Sequence, residues 1–291
     1  MTDFITRFAP SPTGHLHLGH AFSAMTVFKA AQAAGGRFLL RIEDIDTIRC
    51  KPAFEQAIFD DLNWLGLNWE TPVRRQSEHF DEYRAGLDRL IAMGVVYRCF
   101  KTRREILEDI GRAPHHPGEG PDGIIYPGPA ESLSADEEAE KIAAGEPFAW
   151  RLSMNATRDR LGDLSRLTFQ ETGEGPNGER GMCTIQPELI GDAILARKDI
   201  GTSYHLAVAL DDAEQDISHV IRGQDLFFAT TMHRILQALL DLPVPVYRHH
   251  RLLTGVDGER YTKRDKSQTL GSMREAGVKA AEIRKQFGIN W

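Results

Sequence analysis

The stretch Arg7-Phe-Ala-Pro-Ser-Pro-Thr-Gly-His-Leu-His-Leu-Gly-His20 joins a short apolar segment to the start of a helical pattern. Residues 5–9 have the character of a strand, and from Gly19 onward small and apolar residues recur at the spacing of one helix face. A second apolar run, 38–42, follows this helix. The order of strand, loop, helix and strand predicts an α/β fold with a Rossmann-like parallel sheet as its nucleotide-binding core.

Changes in the pattern along the 291 residues divide the chain into four predicted segments. We expect the first half of the core at 1–95, an inserted α+β subdomain at 96–197, the second half at 198–242, and a loop with a short helical C-terminal segment at 243–291. Within the insertion, Ser134 and Glu137 have the spacing of a capping box and predict a helix.

The second half of the core carries two further local predictions. The apolar run 204–210 predicts a core strand. The segment 220–225 contains Gly-Gln-Asp and predicts a turn, with Asp225 as the N-cap of a helix that ends before Pro243.

Composition limits the classes of protein to which the chain can belong. Hydrophobic residues make up 41% and charged residues 26%, and the formal net charge of −7 argues against non-specific binding of nucleic acid. No apolar run approaches the roughly 18 residues of a membrane span, and the N-terminus lacks a signal-peptide pattern, so we expect a cytoplasmic protein. The three cysteines are widely spaced and predict reduced thiols. Without a heptad pattern, a monomer is expected.

Two imidazoles flank a glycine at the start of the first predicted helix. A helix N-terminus offers free N–H groups and a partial positive charge, which attract phosphate. Gly19 allows a close approach of the backbone, and His17 and His20 add donors for charge that develops during phosphoryl chemistry. These three residues are therefore candidates for binding ATP, and the two histidines for catalysis.

A second cationic motif, Arg260-Tyr-Thr-Lys-Arg264, lies about 240 residues further on. A lysine in such a loop can close over a triphosphate, so Lys263 is a candidate for catalysis and ATP binding and Arg260 for ATP binding. Taken alone, a basic pentamer is most often a solvated loop. The same alternative applies to the basic string Arg248-His-His-Arg251.

In combination, the two motifs resemble the "HIGH" and "KMSKS" elements of class I aminoacyl-tRNA synthetases. The opening stretch and Arg41-Ile-Glu-Asp-Ile-Asp46 resemble the glutamyl branch, and Arg260-Tyr-Thr-Lys-Arg264 is similar to its Lys-Leu-Ser-Lys-Arg form. Only 27 residues follow Arg264, whereas glutamyl-tRNA synthetases continue into an anticodon-binding region. The chain thus resembles the free-standing glutamyl-Q tRNA(Asp) synthetases.

This resemblance implies a set of residues that bind glutamate. The opening stretch would contribute backbone and side chains, Glu43 would face the α-ammonium group, and an arginine fork suits a carboxylate. The arginines do not by themselves separate glutamate from aspartate. The implied glutamate-binding residues are Arg7, Phe8, Ala9, Pro10, Ser11, Glu43, Tyr204 and Arg222.

Many members of this family hold zinc through a Cys-x-Cys pair and a later Tyr-x-x-x-Cys, and this chain departs from that pattern. The corresponding positions are Cys99, Lys101, Tyr126 and Ala130. Two thiolates are missing, and zinc in a structural site needs four ligands. His115 and His116 lie between these positions, but adjacent histidines rarely both bind one ion, so we expect no zinc.

The resemblance implies activation of L-glutamate by ATP with Mg²⁺, without tRNA, to give glutamyl-adenylate. Transfer to queuosine in the anticodon stem-loop of tRNA(Asp) would follow. Two alternatives remain open at this point. One is a truncated glutamyl-tRNA synthetase that charges an acceptor end, and the other is an inactive synthetase paralogue that acts as a binding module.

Overall fold

Twelve strands and ten α-helices occur in the part of the chain that the computed structural model describes, residues 3–112, 118–120, 123–129, 133–197, 199–253 and 268–289. The strands are β1 Ile5–Phe8, β2 Arg37–Ile42, β3 Arg74–Arg75, β4 Val96–Cys99, β5 Glu119–Gly120, β6 Gly123–Ile124, β7 Ala149–Leu152, β8 Thr168–Glu171, β9 Gly181–Thr184, β10 Ile194–Arg197, β11 His219–Gly223 and β12 Val246–His250. The helices are α1 Leu18–Ala33, α2 Pro52–Trp64, α3 Phe80–Ala92, α4 Arg103–Arg112, α5 Ala135–Ala143, α6 Met154–Leu161, α7 Tyr204–Glu214, α8 Ala229–Leu240, α9 Leu270–Glu275 and α10 Ala280–Gln286.

A seven-stranded sheet in the order β3-β2-β1-β11-β12-β8-β9 forms the centre of the fold. Its neighbouring strands pair in parallel except for β9, which runs antiparallel to β8 at one edge. From β1 the chain turns to β2 on one side, and β11 later pairs with β1 on the other side. Such a reversal opens a crevice at the carboxyl ends of the strands. The predicted α/β class and parallel sheet are confirmed.

Helices cover both faces of this sheet, which explains the continuous apolar character of its strands. Leu39 and Leu40 are adjacent in β2 and point into different cores, as alternation along a strand requires. The core that contains Leu39 includes residues of α3, α7 and α8. The core that contains Leu40 includes residues of α1, α2, α9 and α10.

A separate three-stranded antiparallel sheet, in the order β10-β7-β4, lies within the segment 96–197. The predicted helix after Ser134 is confirmed as α5, whose capping box joins Ser134 and Glu137 reciprocally. Strands β8 and β9 also come from this segment, but they extend the central sheet. The boundaries of the four predicted segments stay a prediction.

The segment 204–210 is a helix, and the prediction of a core strand was wrong. Ser203 begins α7, since its side chain accepts a hydrogen bond from the N–H of Leu206. Residues of α7 pack against α3 and α8 and are buried on most sides, including the paired acids Asp211 and Asp212. A short helix buried in this way has the same apolar run as a buried strand.

The segment 220–225 was predicted to be a turn, and this was also wrong for its residues 220–223. Residues 219–223 form β11, which pairs with β1 and β12 in the middle of the sheet. Asp225 lies in a 3₁₀ turn, and α8 begins only at Ala229 without a side-chain cap. The strand was obscured because its polar residue, Arg222, is buried among partners distant in the sequence.

Among the residues that the structure describes, no helix combines the length and the apolar character that crossing a bilayer requires.

Candidate active site

A cavity of about 660 Å³ lies at the carboxyl ends of the central strands. Phe8 ends β1, Glu43 follows β2, Gly223 ends β11 and His250 ends β12, and all four line the cavity. This is the place where open parallel sheets bind their ligands, beside the reversal of strand order. The fold therefore brings one residue from each of four strand ends to a common site.

The structure brings together every described residue that the sequence predicted for substrate binding. The residues lining the cavity include Arg7, Phe8, Ala9, Pro10, Ser11, His17, Gly19, His20, Glu43, Tyr204 and Arg222. Lys263 and Arg260 lie outside the described residues. Described residues on both sides of the segment 254–267 approach the site, since Leu253 lines the cavity and the N–H of Leu270 donates to the carbonyl of Leu16, next to His17, over 2.9 Å.

His17 and His20 form a reciprocal cap at the start of α1. Nδ1 of His17 accepts from the N–H of Gly19 over 3.1 Å, and Nδ1 of His20 accepts from the N–H of His17 over 3.2 Å. The two rings lie 3.9 Å apart between centroids. Because both Nδ1 atoms accept, a neutral imidazole must carry its proton on Nε2. The cap thus fixes the orientation of both rings and directs the proton of each neutral ring to Nε2.

Gly19 provides space for the imidazole of His17. A Cβ atom at position 19 would lie 2.9 Å from Cε1 and 3.1 Å from Nδ1 of His17. The sequence suggested that Gly19 allows the backbone to approach a ligand closely. The structure gives a second reason for glycine at this position, since any larger residue would collide with the ring of His17. The first turn of α1 carries no acidic side chain, which also suits an anionic ligand.

We expect Gly19→Ala to slow glutamate-dependent ATP–pyrophosphate exchange by about tenfold or more, because the new methyl group displaces the ring of His17 from its position. Gly14→Ala is the matched control, since a Cβ there meets no atom within 4 Å. Equal rates for the two variants would contradict this account of Gly19.

Arg7 and Glu43 belong to a buried ionic network. Nε and Nη2 of Arg7 bind the two carboxylate oxygens of Asp212 at 2.8 and 3.2 Å. Arg41 joins both sides, because its Nη1 lies 2.8 Å from Asp212 and its Nη2 lies 3.2 Å from Glu43. The network fixes Arg7 and Glu43 at the cavity wall, while Arg41 is fully buried behind them.

The two carboxyl groups of this network have pKa values shifted in opposite directions. Burial raises the pKa of Glu43 above its usual range, although Arg41 and Arg7 oppose the shift. Burial also acts on Asp212, but Arg7 and Arg41 together outweigh it and hold the pKa of that carboxyl below its usual range. Arg7 and Arg41 therefore already stabilise the charged form of Asp212. For Glu43, a cationic ligand would favour the charged form.

Arg222 has a different environment, since no carboxylate of the described residues contacts its guanidinium. Its Nε donates to Nε2 of His249 over 3.1 Å, and one Nη1 hydrogen is directed to Nδ1 of His233 over 3.2 Å. Its Nη2 donates to the carbonyl of Leu226 over 3.0 Å and to the hydroxyl of Thr230 over 2.8 Å. The side chain is 5% exposed and lines the cavity.

The two candidate arginines therefore have different numbers of N–H groups left for a ligand. An arginine has five. Arg222 uses four and retains one on Nη1, whereas Arg7 uses two and retains hydrogens on both terminal nitrogens. Arg7 can thus present a fork to a carboxylate, and Arg222 can give a single charged contact.

Several residues that organise the site were missed by the sequence-based list. Asp212 and Arg41 hold Arg7 and Glu43, and His249 and His233 hold Arg222. Two of them had a signal in the sequence, since Arg41 begins the quoted acidic string and His249 lies in the basic one. The alternative of a solvated loop does not hold for Arg248–His250, which belong to β12, and His249 is 2% exposed.

Three positions of the degenerate zinc motif, Cys99, Lys101 and Tyr126, do not line this cavity. Cys99 packs against Ile106, Ile110 and Tyr126 in a small apolar cluster. The described residues contain no group of three or more His, Cys, Asp or Glu side chains able to hold a metal ion. A thiol in apolar packing does not resemble a ligand set. Ala130, His115 and His116 lie outside the described residues, so the expectation of no zinc stays a prediction.

Comparison with known proteins supports the relationship that the motifs suggested. Residues 3–287 match the family described as tRNA synthetases class I (E and Q), catalytic domain. The chain is 48% identical over 290 residues to Glutamyl-Q tRNA(Asp) synthetase of Rhodobacter capsulatus, covering 98% of this chain and 100% of that protein. It is 39% identical to the protein of the same name from Nocardia farcinica, covering 95% and 81%.

A solved structure agrees with the fold. The glutamate-tRNA synthetase of Elizabethkingia anophelis superposes with a TM-score of 0.73 at 27% identity and covers 90% of this chain. The chain spans about half of that protein, 53% of its length. The match along nearly all of the chain, together with the histidine cap and the arginine-lined cavity, leads to one conclusion: this chain belongs to the glutamyl-Q tRNA(Asp) synthetases within the class I (E and Q) tRNA synthetase family.

Proposed function

We propose that this protein activates L-glutamate with ATP and Mg²⁺, without tRNA, and then transfers the glutamyl group to queuosine in the anticodon of tRNA(Asp). We further propose that it works as a monomer in the cytoplasm. The roles of the individual residues, including those of Lys263 and Arg260, are part of this proposal.

The observation that carries the proposal is the charge pattern of the cavity. Glutamate has two carboxylates and one ammonium group. The wall offers Arg7 with a partly available fork, Arg222 without a carboxylate partner among the described residues, and Glu43 with a raised pKa. Tyr204, whose pKa is raised by burial and which stays a neutral phenol, lies among them. Two cations and one anion complement the three charges of glutamate.

The histidine cap supports the chemistry of the first step. A carboxylate oxygen of glutamate attacks the α-phosphorus of ATP, forming the O–P bond of glutamyl-adenylate while the bond to pyrophosphate breaks. The Nε2–H groups of His17 and His20 would stabilise the negative charge that develops on the phosphoryl oxygens, and the N-terminus of α1 adds its partial positive charge. Mg²⁺ would be bound by the phosphates of ATP, and its protein ligands are not part of the proposal.

The second step follows from the mixed anhydride. A hydroxyl of the queuosine ring attacks the carbonyl carbon of the adenylate, the ester bond forms, and AMP leaves with the electrons of the broken acyl–phosphate bond. The choice of queuosine is supported by the relatives, since identity is 48% to the Rhodobacter capsulatus protein but 34% to Glutamate--tRNA ligase of Prochlorococcus marinus.

The test is transfer of labelled glutamate, with ATP, to tRNA from cells that do or do not make queuosine. We expect label only on the queuosine-containing pool. Label on both pools would mean charging of an acceptor end. Label on neither pool, with active glutamate-dependent ATP–pyrophosphate exchange, would mean a different acceptor. No transfer of label and no glutamate-dependent ATP–pyrophosphate exchange would favour an inactive paralogue.

A further inference from the structure

A buried chain of hydrogen bonds leads from β8 to the arginine of the cavity. Oε2 of Glu171 lies 2.5 Å from Nδ1 of His249, and Nε2 of His249 lies 3.1 Å from Nε of Arg222. Glu171 and His249 are 1% and 2% exposed, and neither lines the cavity. The two residues therefore act on a ligand only through Arg222.

The hydrogen bonds that join Glu171, His249 and Arg222 allow one consistent arrangement of protons. Nε of Arg222 always carries hydrogen, so Nε2 of His249 must accept. Nδ1 of His249 then carries the proton and donates to Glu171. The other oxygen of Glu171 accepts the N–H of His249 over 3.0 Å and that of Gly173 over 2.6 Å. Each oxygen of Glu171 thus faces donors only, which requires a carboxylate.

We infer that Glu171 and His249 are positioning residues for substrate binding, which hold Arg222 so that its one remaining Nη1–H points at a carboxylate of glutamate. This inference rests on the proposed function. In this arrangement Glu171 provides a negative charge near Arg222, but the imidazole of His249 lies between the carboxylate and the guanidinium. A carboxylate in direct contact would occupy further N–H groups of the guanidinium, as Asp212 occupies two of those of Arg7.

A second imidazole, that of His233 in α8, also contacts the guanidinium of Arg222. Nδ1 of His233 accepts from Nη1 of Arg222, so its proton lies on Nε2, which faces Nδ1 of His205 at 3.2 Å. The two histidines that contact Arg222 thus have opposite tautomers, and both are neutral acceptors. They fix the plane of the guanidinium without adding charge beside it.

The electrostatic surroundings agree with a neutral His249. Burial lowers the pKa of His249 to about 4, with Arg222 and His250 acting in the same direction and Glu171 opposing them. The hydrogen bonds from His249 outweigh burial and hold the pKa of Glu171 below its usual range. Phe227 and Tyr247 provide the aromatic contacts of the His249 ring.

Glu171→Gln is the sharpest test because it conserves shape and inverts polarity. If the Gln oxygen stays with the two backbone N–H groups, the amide NH₂ faces His249 and forces its proton onto Nε2, opposite the Nε–H of Arg222. We expect the glutamate KM in ATP–pyrophosphate exchange to rise about 10- to 100-fold, the range for a misplaced charge-assisted hydrogen bond, with the ATP KM within about threefold of wild type. Glu70→Gln, which removes the same charge from an exposed pair with Arg37, is the matched control.

A pair of His249 variants separates positioning from packing. His249→Gln retains an acceptor for Arg222 and should keep the glutamate KM within about fivefold of wild type, whereas His249→Leu should raise it about 10- to 100-fold. Thermal unfolding of each variant reports whether it is folded. An unchanged glutamate KM in folded Glu171→Gln and His249→Leu would overturn the inference.

The tautomer can be measured without any variant. Nitrogen-15 NMR of the wild-type protein with labelled histidine should show His249 protonated on Nδ1 and His233 on Nε2 at pH 7. An Nε2–H tautomer or a doubly protonated ring at His249 would overturn the inference. If the wild-type protein shows no glutamate-dependent exchange, the proposed function fails, and the tautomers still decide how Arg222 is held.

Discussion

Replacement of Arg222 by alanine is expected to raise the KM for glutamate about 100-fold or more while the KM for ATP changes little. The guanidinium lines the cavity, is 5% exposed and has no carboxylate partner among the described residues. A carboxylate that binds there gains a charged hydrogen bond in a water-poor site, and its loss costs about 3 kcal/mol. Steady-state ATP–pyrophosphate exchange over a range of glutamate concentrations measures the effect.

Arg234→Ala is the control for this prediction. Arg234 is also a buried arginine and belongs to α8 itself; its Nε donates to the carbonyl of Thr168 over 2.8 Å, but it does not line the cavity. Its loss should lower thermal stability and leave the glutamate KM near the wild-type value. A glutamate KM that rises equally in both variants would show that Arg222 acts on the fold and not on the substrate.

Local patterns were sufficient to predict the first three elements of the fold. The predicted strand 5–9, the helix from Gly19 and the strand 38–42 correspond to β1, α1 and β2, because the residues that mark each of them in the sequence are the ones that it buries. The capping box of Ser134 was also predictable, since both of its partners lie within four residues. For this cap the determining contacts are close in the sequence.

The errors occur where distant contacts decide the structure. Residues 204–210 are apolar in either conformation, and the helix is selected by packing against α3 and α8. Arg222 in a central strand contradicts the preference for apolar residues, and it is tolerated because His249 and His233 satisfy it from 27 and 11 residues away. Such pairing is not visible in one sequence.

The candidate site was predictable in its members but not in its organisation. Motif resemblance identified the residues around the cavity, including Arg7 and Glu43. It did not reveal that Asp212 occupies two donors of Arg7 or that Arg41 connects Asp212 with Glu43. Hence the difference between a forked contact at Arg7 and a single contact at Arg222 emerges only from the structure.

His20→Asn is expected to reduce the rate of adenylate formation by about 100- to 1000-fold with little loss of stability. The Oδ1 atom of asparagine can replace Nδ1 of the imidazole as acceptor for the N–H of His17, so the cap of α1 is retained. The Nε2–H donor is lost, and removal of one donor to charge that develops in a transition state typically costs this factor. Single-turnover formation of glutamyl-adenylate at saturating ATP and glutamate measures the chemical step itself.

His20→Ala separates the two roles of this residue. Alanine removes the donor and also the acceptor of the cap, so it should lose the same catalytic factor and in addition about 1 kcal/mol of stability. If His20→Asn retained the wild-type rate while His20→Ala lost it, the imidazole would act through the cap alone. The Nε2–H of His17, held in its own bond to Gly19, would then be the donor of this motif that stabilises the transition state.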